Sequence, residues 1–508
     1  MNGRTRQTTN YLAFDIGAES GRAFLGNIKK DRLTIKETCR FSNGMIIKNG
    51  HLHWDILRLY EEIKKGIIKS SIECGSRIES IGIDTWGVDF GLLDRKGDLI
   101  SPPFAYRDKR NELAMKKFLK KMPEKQVYQL TGIQFMQFNS IFQLYALKTQ
   151  NPELLEQTQK LLFMPDLFNY FLTGHTKTEF TIATTSQLYD PVKQDWADDI
   201  FIHLGVSKSI MQDVVPPGTK LGKVKKSIQK EAGISELPVI AVATHDTGAA
   251  VAAVPGIGED WAFISSGTWS ILGTESKVPI ITEQAYKMNF TNEGGINNTF
   301  RLSKNIMGLW LMQKCRKAWW EEKKYKYEDL ILLAGQAEPF RYFIDPDWSP
   351  FLNPPDMPEA VKRFCRITGQ PVPETHAEIT CCIFEGLALK YRYVLEELKT
   401  VYPGPIRKIH IIGGGAKNHM LCRFTANATG LPVFAGPHEA TVIGNIMVQA
   451  LGRGTVRSTG EMREIVSRSV EIKEYFPNDK ELWDKAYNRF CQVAMILNNR
   501  QNMPNQEN

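Results

Sequence analysis

The stretch AFDIGAESGR, Ala13 to Arg22, reads as a buried strand ending in a turn of small residues, and AFISSGTWS, Ala262 to Ser270, repeats the design far along the chain. Leu12, Phe14 and Ile16 alternate as strand residues do, and glycines at 17 and 21 let the backbone approach a ligand that a Cβ would hold away. After Arg22 the pattern stays strand-like. Ala23 to Ile28 and Leu33 to Glu37 flank Lys29-Lys30-Asp31, so the turn is predicted at the tip of a β-hairpin rather than at the start of a helix. The signatures GxxxxGK[ST] and GxGxxG are both absent. Two turns of this kind each offer backbone N–H groups to an anion, and two such rows suit a polyphosphate. An Asp buried just before the first turn is costly without a cation or several donors, so Asp15 points to a hydrated magnesium ion beside the phosphates. A tight hairpin with Asp15 satisfied by local amides is the competing reading.

At 508 residues the chain exceeds what one hydrophobic core serves, so two domains of roughly 200 to 250 residues are expected. The net charge of +8 comes from 64 basic and 56 acidic residues that are scattered rather than gathered into a patch, which argues against a nucleic-acid partner. No window is long and apolar enough to span a bilayer, and residues 1–10 lack the apolar core of a signal peptide, so a cytoplasmic enzyme with no membrane partner is expected. Eight cysteines show neither CxxC pairing nor clustered histidines and read as reduced core residues. Cys365 with Cys381 or Cys382 is the first pair to examine on oxidation.

Strand-like and helix-like runs alternate, as an α/β architecture requires. Ser80 to Phe90 reads as one strand kinked at Trp86-Gly87, and Glu112 to Met122 and Ile141 to Lys148 read as helices. Leu237 to Ala243 is a fully apolar strand that stops at THDTG (Thr244 to Gly248), with a small-residue helix beyond it and a connector at Val254 to Glu259. Lys408 to Ile412 is a strand running into GGGAKN, followed by a helix from His419 to Thr429. The two halves echo one another, which suggests a duplicated fold with a ligand cleft between lobes.

THDTG places Asp246 where an apolar strand gives way to a helix. A carboxylate there either caps the helix or faces a ligand, and Gly248 with the following alanines leaves room for the ligand. His245 reads as its hydrogen-bonding neighbour. In IDTWGVDF the Trp86-Gly87 corner offers an aromatic plate beside open backbone, and QFMQFN, TNEGG and KNIMGLWLMQK add amides and a carboxylate in apolar surroundings. Together these suit a polyhydroxylated substrate.

The ordered set DIGAESGR, IDTWGVDFGLLD, AYRD, GIQFMQFN, MPDLF, THDT, SSGTWS, TNEGG, KNIMGLWLMQ, IIGGGAKN and GPHEATVIGN resembles the FGGY carbohydrate kinases, from about residue 11 to about 455. The resemblance implies a fold of two actin-like, ribonuclease-H-type α/β domains flanking an ATP/sugar cleft. It implies an N-terminal domain over 11–248 and a C-terminal domain over 260–455; beyond them a helical extension over 456–500 is expected, and the Asn- and Gln-rich end, 501–508, is expected to be a disordered tail. It implies transfer of the γ-phosphoryl group of ATP, with Mg2+, to L-rhamnulose; a monomer or weak homo-oligomer is expected. Asp246 matches the family's proton acceptor. Ala18, Glu19, Ser20, Gly21 and Arg22 match the first phosphate loop, and Thr268 matches the second. Gln313 and Gly414 match nucleotide contacts, and Gly87, His245, Thr247 and Asn305 match sugar contacts. Two positions depart from the pattern: Glu19 stands in place of a small hydroxyl residue, and Gln137 in place of proline. Another ketose kinase, acting on L-fuculose or D-xylulose, and a silent ATP- or sugar-binding sensor are the rival readings.

Overall fold

A computed structural model describes residues 8–75 and 77–501 of the chain, with side chains up to Met495. The region expected to be a disordered tail, 501–508, lies outside the described residues except for Gln501, the end of the helix Lys480–Gln501.

The chain forms two compact units that alternate along the sequence. One comprises Met1–Ile257, Glu275–Leu302 and Glu439–Val470, and the other Gly258–Thr274, Ser303–His438 and Glu471–Asn508. The break between Ile257 and Gly258 falls inside the connector read at Val254 to Glu259.

The first unit is built on a six-stranded sheet whose order is Thr219–Lys223, Pro238–Ala241, Ile78–Thr85, Thr9–Ile16, Ser20–Lys29 and Arg32–Ser42. Strand Thr9–Ile16 runs antiparallel to Ser20–Lys29 and parallel to Ile78–Thr85. Its even-numbered residues Leu12, Phe14 and Ile16 share a core cluster with Leu59, Ile63 and Ile67 of the helix Ile56–Cys74. Gly66 of that helix sits where a Cβ would come within 2.7 Å of the Phe14 ring, so glycine lets helix and sheet close together. The helix Ala440–Gly452 also packs on this sheet, giving it a hydrogen bond from Gln449 Nε2 to Leu12 O at 3.0 Å.

The run Ser80 to Phe90 is not one strand. It leaves the sheet at Thr85, passes through Val88 with φ of 68°, and resumes as Phe90–Leu93 paired antiparallel with Lys160–Phe163. Asp89 turns the chain here. Its buried carboxylate accepts from Trp54 Nε1 at 2.6 Å, Trp86 Nε1 at 3.0 Å, Tyr106 N at 3.1 Å and Gln143 Nε2 at 2.8 Å.

The second unit repeats the motif. Strand Trp261–Ser266 runs antiparallel to Trp269–Ser276 and parallel to Lys408–Ile412, which is followed by Val433–Ala435 and Lys473–Tyr475. The mutually packed helices His376–Val401, His419–Thr429 and Lys480–Gln501 belong to this unit. Thr375 and Glu378 form a reciprocal capping box at the start of the longest of them, the T-x-x-E spacing that satisfies two orphan donors at once. All eight cysteines are free thiols. A hydrogen bond with Cys365, then burial, pushes the Cys382 thiol up. Among the described residues, no helix is long and apolar enough to cross a membrane.

Candidate active site

In each unit a tight turn joins the first two strands. Gly17 N donates to Ser20 O at 2.9 Å in one, and Gly267 N to Trp269 O at 2.9 Å in the other. Asn43 grips the first turn by two of its carbonyls, through Nδ2 to Gly17 O at 2.8 Å and through its backbone N to Glu19 O at 2.9 Å. In a trans peptide the C=O and the next N–H point oppositely, so the amides of Ala18 and Ser20 face away from Asn43. The second turn is held likewise, with Leu309 N on Gly267 O at 2.9 Å and Trp310 N on Thr268 O at 3.1 Å. Thr268 Oγ1 also meets the Gln313 side chain at 3.3 Å. Glu19 is exposed, and Gln137 is exposed as well.

Within GGGAKN the three glycines differ. A Cβ at Gly415 would stand 2.0 Å from Ser266 Oγ, and Gly413 has φ of 80° with Ser266 O 3.1 Å from its ideal Cβ, so both are demanded by the fold. A Cβ at Gly414 would meet nothing within 4 Å. Asn305 lies half-buried in the strand Phe300–Met307, and Gln313 lies in the helix Trp310–Ala318, so KNIMGLWLMQK is a strand, a turn and a helix. The turn is anchored by Met307 N on Asp347 Oδ1 at 2.8 Å, and Asp347 is in turn ion-paired with the buried Lys390 at 3.1 Å. Sequence reasoning passes over this tie, because Lys390 looks like one charge among many on a long helix.

In the first unit Asp15 and Asp84 are register neighbours on parallel strands. Arg22 bridges Asp15 at 2.5 Å and Glu439 at 2.7 Å. Burial, then the Asp15 charge, pushes the Asp84 carboxyl far up, and burial raises that of Asp15 against the pull of Arg22. Asp84 Oδ2 accepts from Asn445 Nδ2 at 2.6 Å, while Asp84 Oδ1 is buried with no hydrogen-bond partner. Two carboxylates side by side, Asp15 half-buried and Asp84 wholly buried with an orphaned oxygen, fit a nearby cation. Among the described residues, no group of three or more His, Cys, Asp or Glu side chains converges.

THDTG follows the buried strand Pro238–Ala241, and Asp246 is the first residue of the helix Asp246–Ala252. Its Oδ1 accepts from Thr247 N at 2.5 Å and Thr247 Oγ1 at 3.1 Å, and the side chain stays 37% exposed. The helix it opens is buried. Gly248 faces Thr181, and Ala249 lies against Gly444, where a Cβ would come within 1.8 Å of Ala249 O. The small residues after Asp246 therefore serve helix packing, not a ligand as their size suggests in the sequence.

The residues just before Asp246 are fixed from below. Buried Glu179 accepts from Thr244 N at 3.1 Å, Thr244 Oγ1 at 2.7 Å and Thr181 Oγ1 at 2.5 Å, and Thr181 Oγ1 accepts from His245 N at 3.1 Å. His245 lies beside Gly87, whose Cβ, if present, would stand 3.3 Å from Nε2. Trp86 is not an open plate. It is buried against Trp54, centroids 4.3 Å apart, with its N–H spent on Asp89.

Models for the N-terminal and C-terminal domains of the FGGY family of carbohydrate kinases match residues 10–253 and 262–452. The chain belongs to the FGGY family of carbohydrate kinases. As a member of that family it is an ATP-dependent sugar kinase. Among FGGY relatives, the rhamnulokinase of Bacteroides thetaiotaomicron is 47% identical over 95% of this chain and 98% of its own length, and that of Bacillus subtilis 39% identical over 92% and 96%. Solved structures share the fold. Gluconate kinase from Lactobacillus acidophilus aligns with a TM-score of 0.81 at 16% identity over 97% of this chain and 98% of that one. Plasmodium falciparum glycerol kinase with ADP aligns with a TM-score of 0.79 at 14% identity over 98% and 99%.

Proposed function

We propose that this kinase transfers the γ-phosphoryl group of ATP to the 1-hydroxyl of L-rhamnulose, giving L-rhamnulose 1-phosphate and ADP, in the cytoplasmic breakdown of L-rhamnose. The sugar is supported by relatives named rhamnulokinase that are 47% and 39% identical over nearly the whole chain. The observation that carries the chemistry is Asp246. Among the described residues no lysine or arginine pairs with its carboxylate, which stays partly open beside His245. A carboxylate so placed accepts the proton of the attacking hydroxyl as that oxygen reaches the γ-phosphorus.

Gly87, His245, Thr247 and Asn305 hold the sugar in this reading, and its monomer supplies every residue. The amides of residues 18–22 and Thr268 receive the phosphates, while Gln313 and the open backbone at Gly414 receive the rest of the nucleotide. Such a transfer depends on positioning and on stabilising charge more than on covalent chemistry. Asp15 and Asp84 would hold a hydrated Mg2+, which when bound neutralises phosphate charge. Arg22 keeps Asp15 oriented and carries a positive charge to the same place.

ADP release, coupled to an indicator reaction, across L-rhamnulose, L-fuculose and D-xylulose tests the assignment. L-rhamnulose is expected to give the highest kcat/KM. A panel led by either of the others would reassign the substrate, and no ADP release with any of the three would remove the ketose assignment.

A further inference from the structure

Arg301 is wholly buried, and its donors go to three places: Nε to Gly294 O at 2.9 Å, Nη2 to Glu293 Oε2 at 2.9 Å, and Nη2 to His245 Nδ1 at 3.0 Å. A guanidinium has hydrogens to give and no lone pair to receive. The ring nitrogen facing it at hydrogen-bond distance must therefore be bare, or two N–H groups would point at each other. Glu293 Oε2 also lies 3.3 Å from Nδ1, longer than the 3.0 Å to Arg301 Nη2 and just beyond the usual N–H···O range.

We propose that Arg301 is a positioning residue that fixes His245 as the neutral tautomer protonated on Nε2, so that its N–H is aimed at the open side of the site next to Asp246. Nε2 lies 3.4 Å from Asp246 Oδ1 and faces the bare backbone of Gly87. The charged groups facing the imidazole are Arg301 and Glu293 from the paired segment 291–301 and Asp246 from its own helix. Thr181 and Thr185 of the helix Phe180–Thr185 and Thr85 of the neighbouring strand are neutral. The Arg301 and Glu293 charges offset one another: burial raises the Glu293 carboxyl, and the charge and hydrogen bond of Arg301 pull it down. His245 then donates to a sugar oxygen and has no lone pair on Nε2 with which to take the substrate's proton. The proton goes to Asp246. This kinetic consequence rests on the function proposed above, whereas the tautomer does not.

Full-length protein labelled with 15N-histidine, its His245 signal assigned by loss in His245→Gln, reports which ring nitrogen carries the proton. Wild type at neutral pH is expected to show protonated Nε2 and bare Nδ1. In Arg301→Met, Glu293 is freed to accept, so the proton should move to Nδ1 and KM for L-rhamnulose should rise roughly tenfold with KM for ATP unchanged. Glu293→Gln, which keeps Arg301 on Nδ1, should retain the wild-type signature. Protonated Nδ1 or an imidazolium in the wild type would overturn the proposal, as would an unchanged tautomer in Arg301→Met. The wild-type spectrum decides the matter even if that variant fails to fold. A protein that ignored L-rhamnulose yet showed protonated Nε2 would refute the substrate and leave the tautomer standing.

Discussion

Asp246, Glu293 and Glu385 are three carboxylates whose surroundings give them three different tasks. Asp246 keeps a partly open oxygen, and Glu293 is locked as a charge by Arg301. Glu385, 1% exposed, has Phe340 N within 3.1 Å and 3.0 Å of its two oxygens, and burial pushes its carboxyl up to about 8. A carboxyl raised above its unfolded value of about 4.3 binds its proton more tightly in the folded state. Its contribution to stability is therefore full below pH 4 and is lost as pH rises through about 8. Glu385→Gln keeps an acceptor for Phe340 and cannot ionise. Its melting temperature should fall less between pH 5 and pH 8 than that of wild type, and parallel curves would contradict the assignment. Asp246 is legible in the sequence because an apolar strand stops abruptly at THDTG. Arg301 is not. Its partners Glu293 and His245 are joined to it by strand pairing and by a distant loop, and no local pattern marks an arginine for burial.

The two strand-turn-strand motifs are read correctly because alternation, glycines and a tight turn are all local signals. The helix His419–Thr429 falls where the sequence predicts it, with Asn418 as its cap accepting from Leu421 N at 3.0 Å. The break in Ser80 to Phe90 falls at the expected Trp86-Gly87 kink, but that it parts two strands into two sheets is not legible, because Asp89 is claimed by Trp54, Tyr106 and Gln143, none of them close in sequence. Sequence alone also cannot rank the glycines of GGGAKN. The structure separates them, and Gly415→Ala, whose Cβ would overlap Ser266, should lose about 1–3 kcal/mol of stability. Gly414→Ala has open space for its methyl and should melt like wild type, while KM for ATP rises several-fold as the nucleotide loses its approach. Calorimetry with ATP titration separates the two outcomes, and an unchanged KM for ATP in Gly414→Ala would take that residue out of the nucleotide site.

The chain returns to its first unit near the end, an arrangement that the order of motifs does not disclose. Helix Ala440–Gly452 brings Asn445 to Asp84 and Gln449 to both Leu12 O and Ser80 Oγ, all within the sheet that carries the turn between Thr9–Ile16 and Ser20–Lys29. A fragment ending at Ile257 should therefore lack a cooperative thermal transition by circular dichroism, since Asp84 would be left buried without its amide partner. A sharp transition near that of the full chain would show the late helix to be dispensable. One carboxylate, Asp246, is proposed to take the proton, and steady-state kinetics of Asp246→Asn examine that role. Asparagine keeps the shape and can still accept from Thr247, so a merely structural role predicts near-normal turnover. Loss of a general base costs on the order of 10² to 10⁴ in rate. A fall in kcat of that order with little change in sugar affinity is expected. A folded variant turning over within a few-fold of wild type would contradict it.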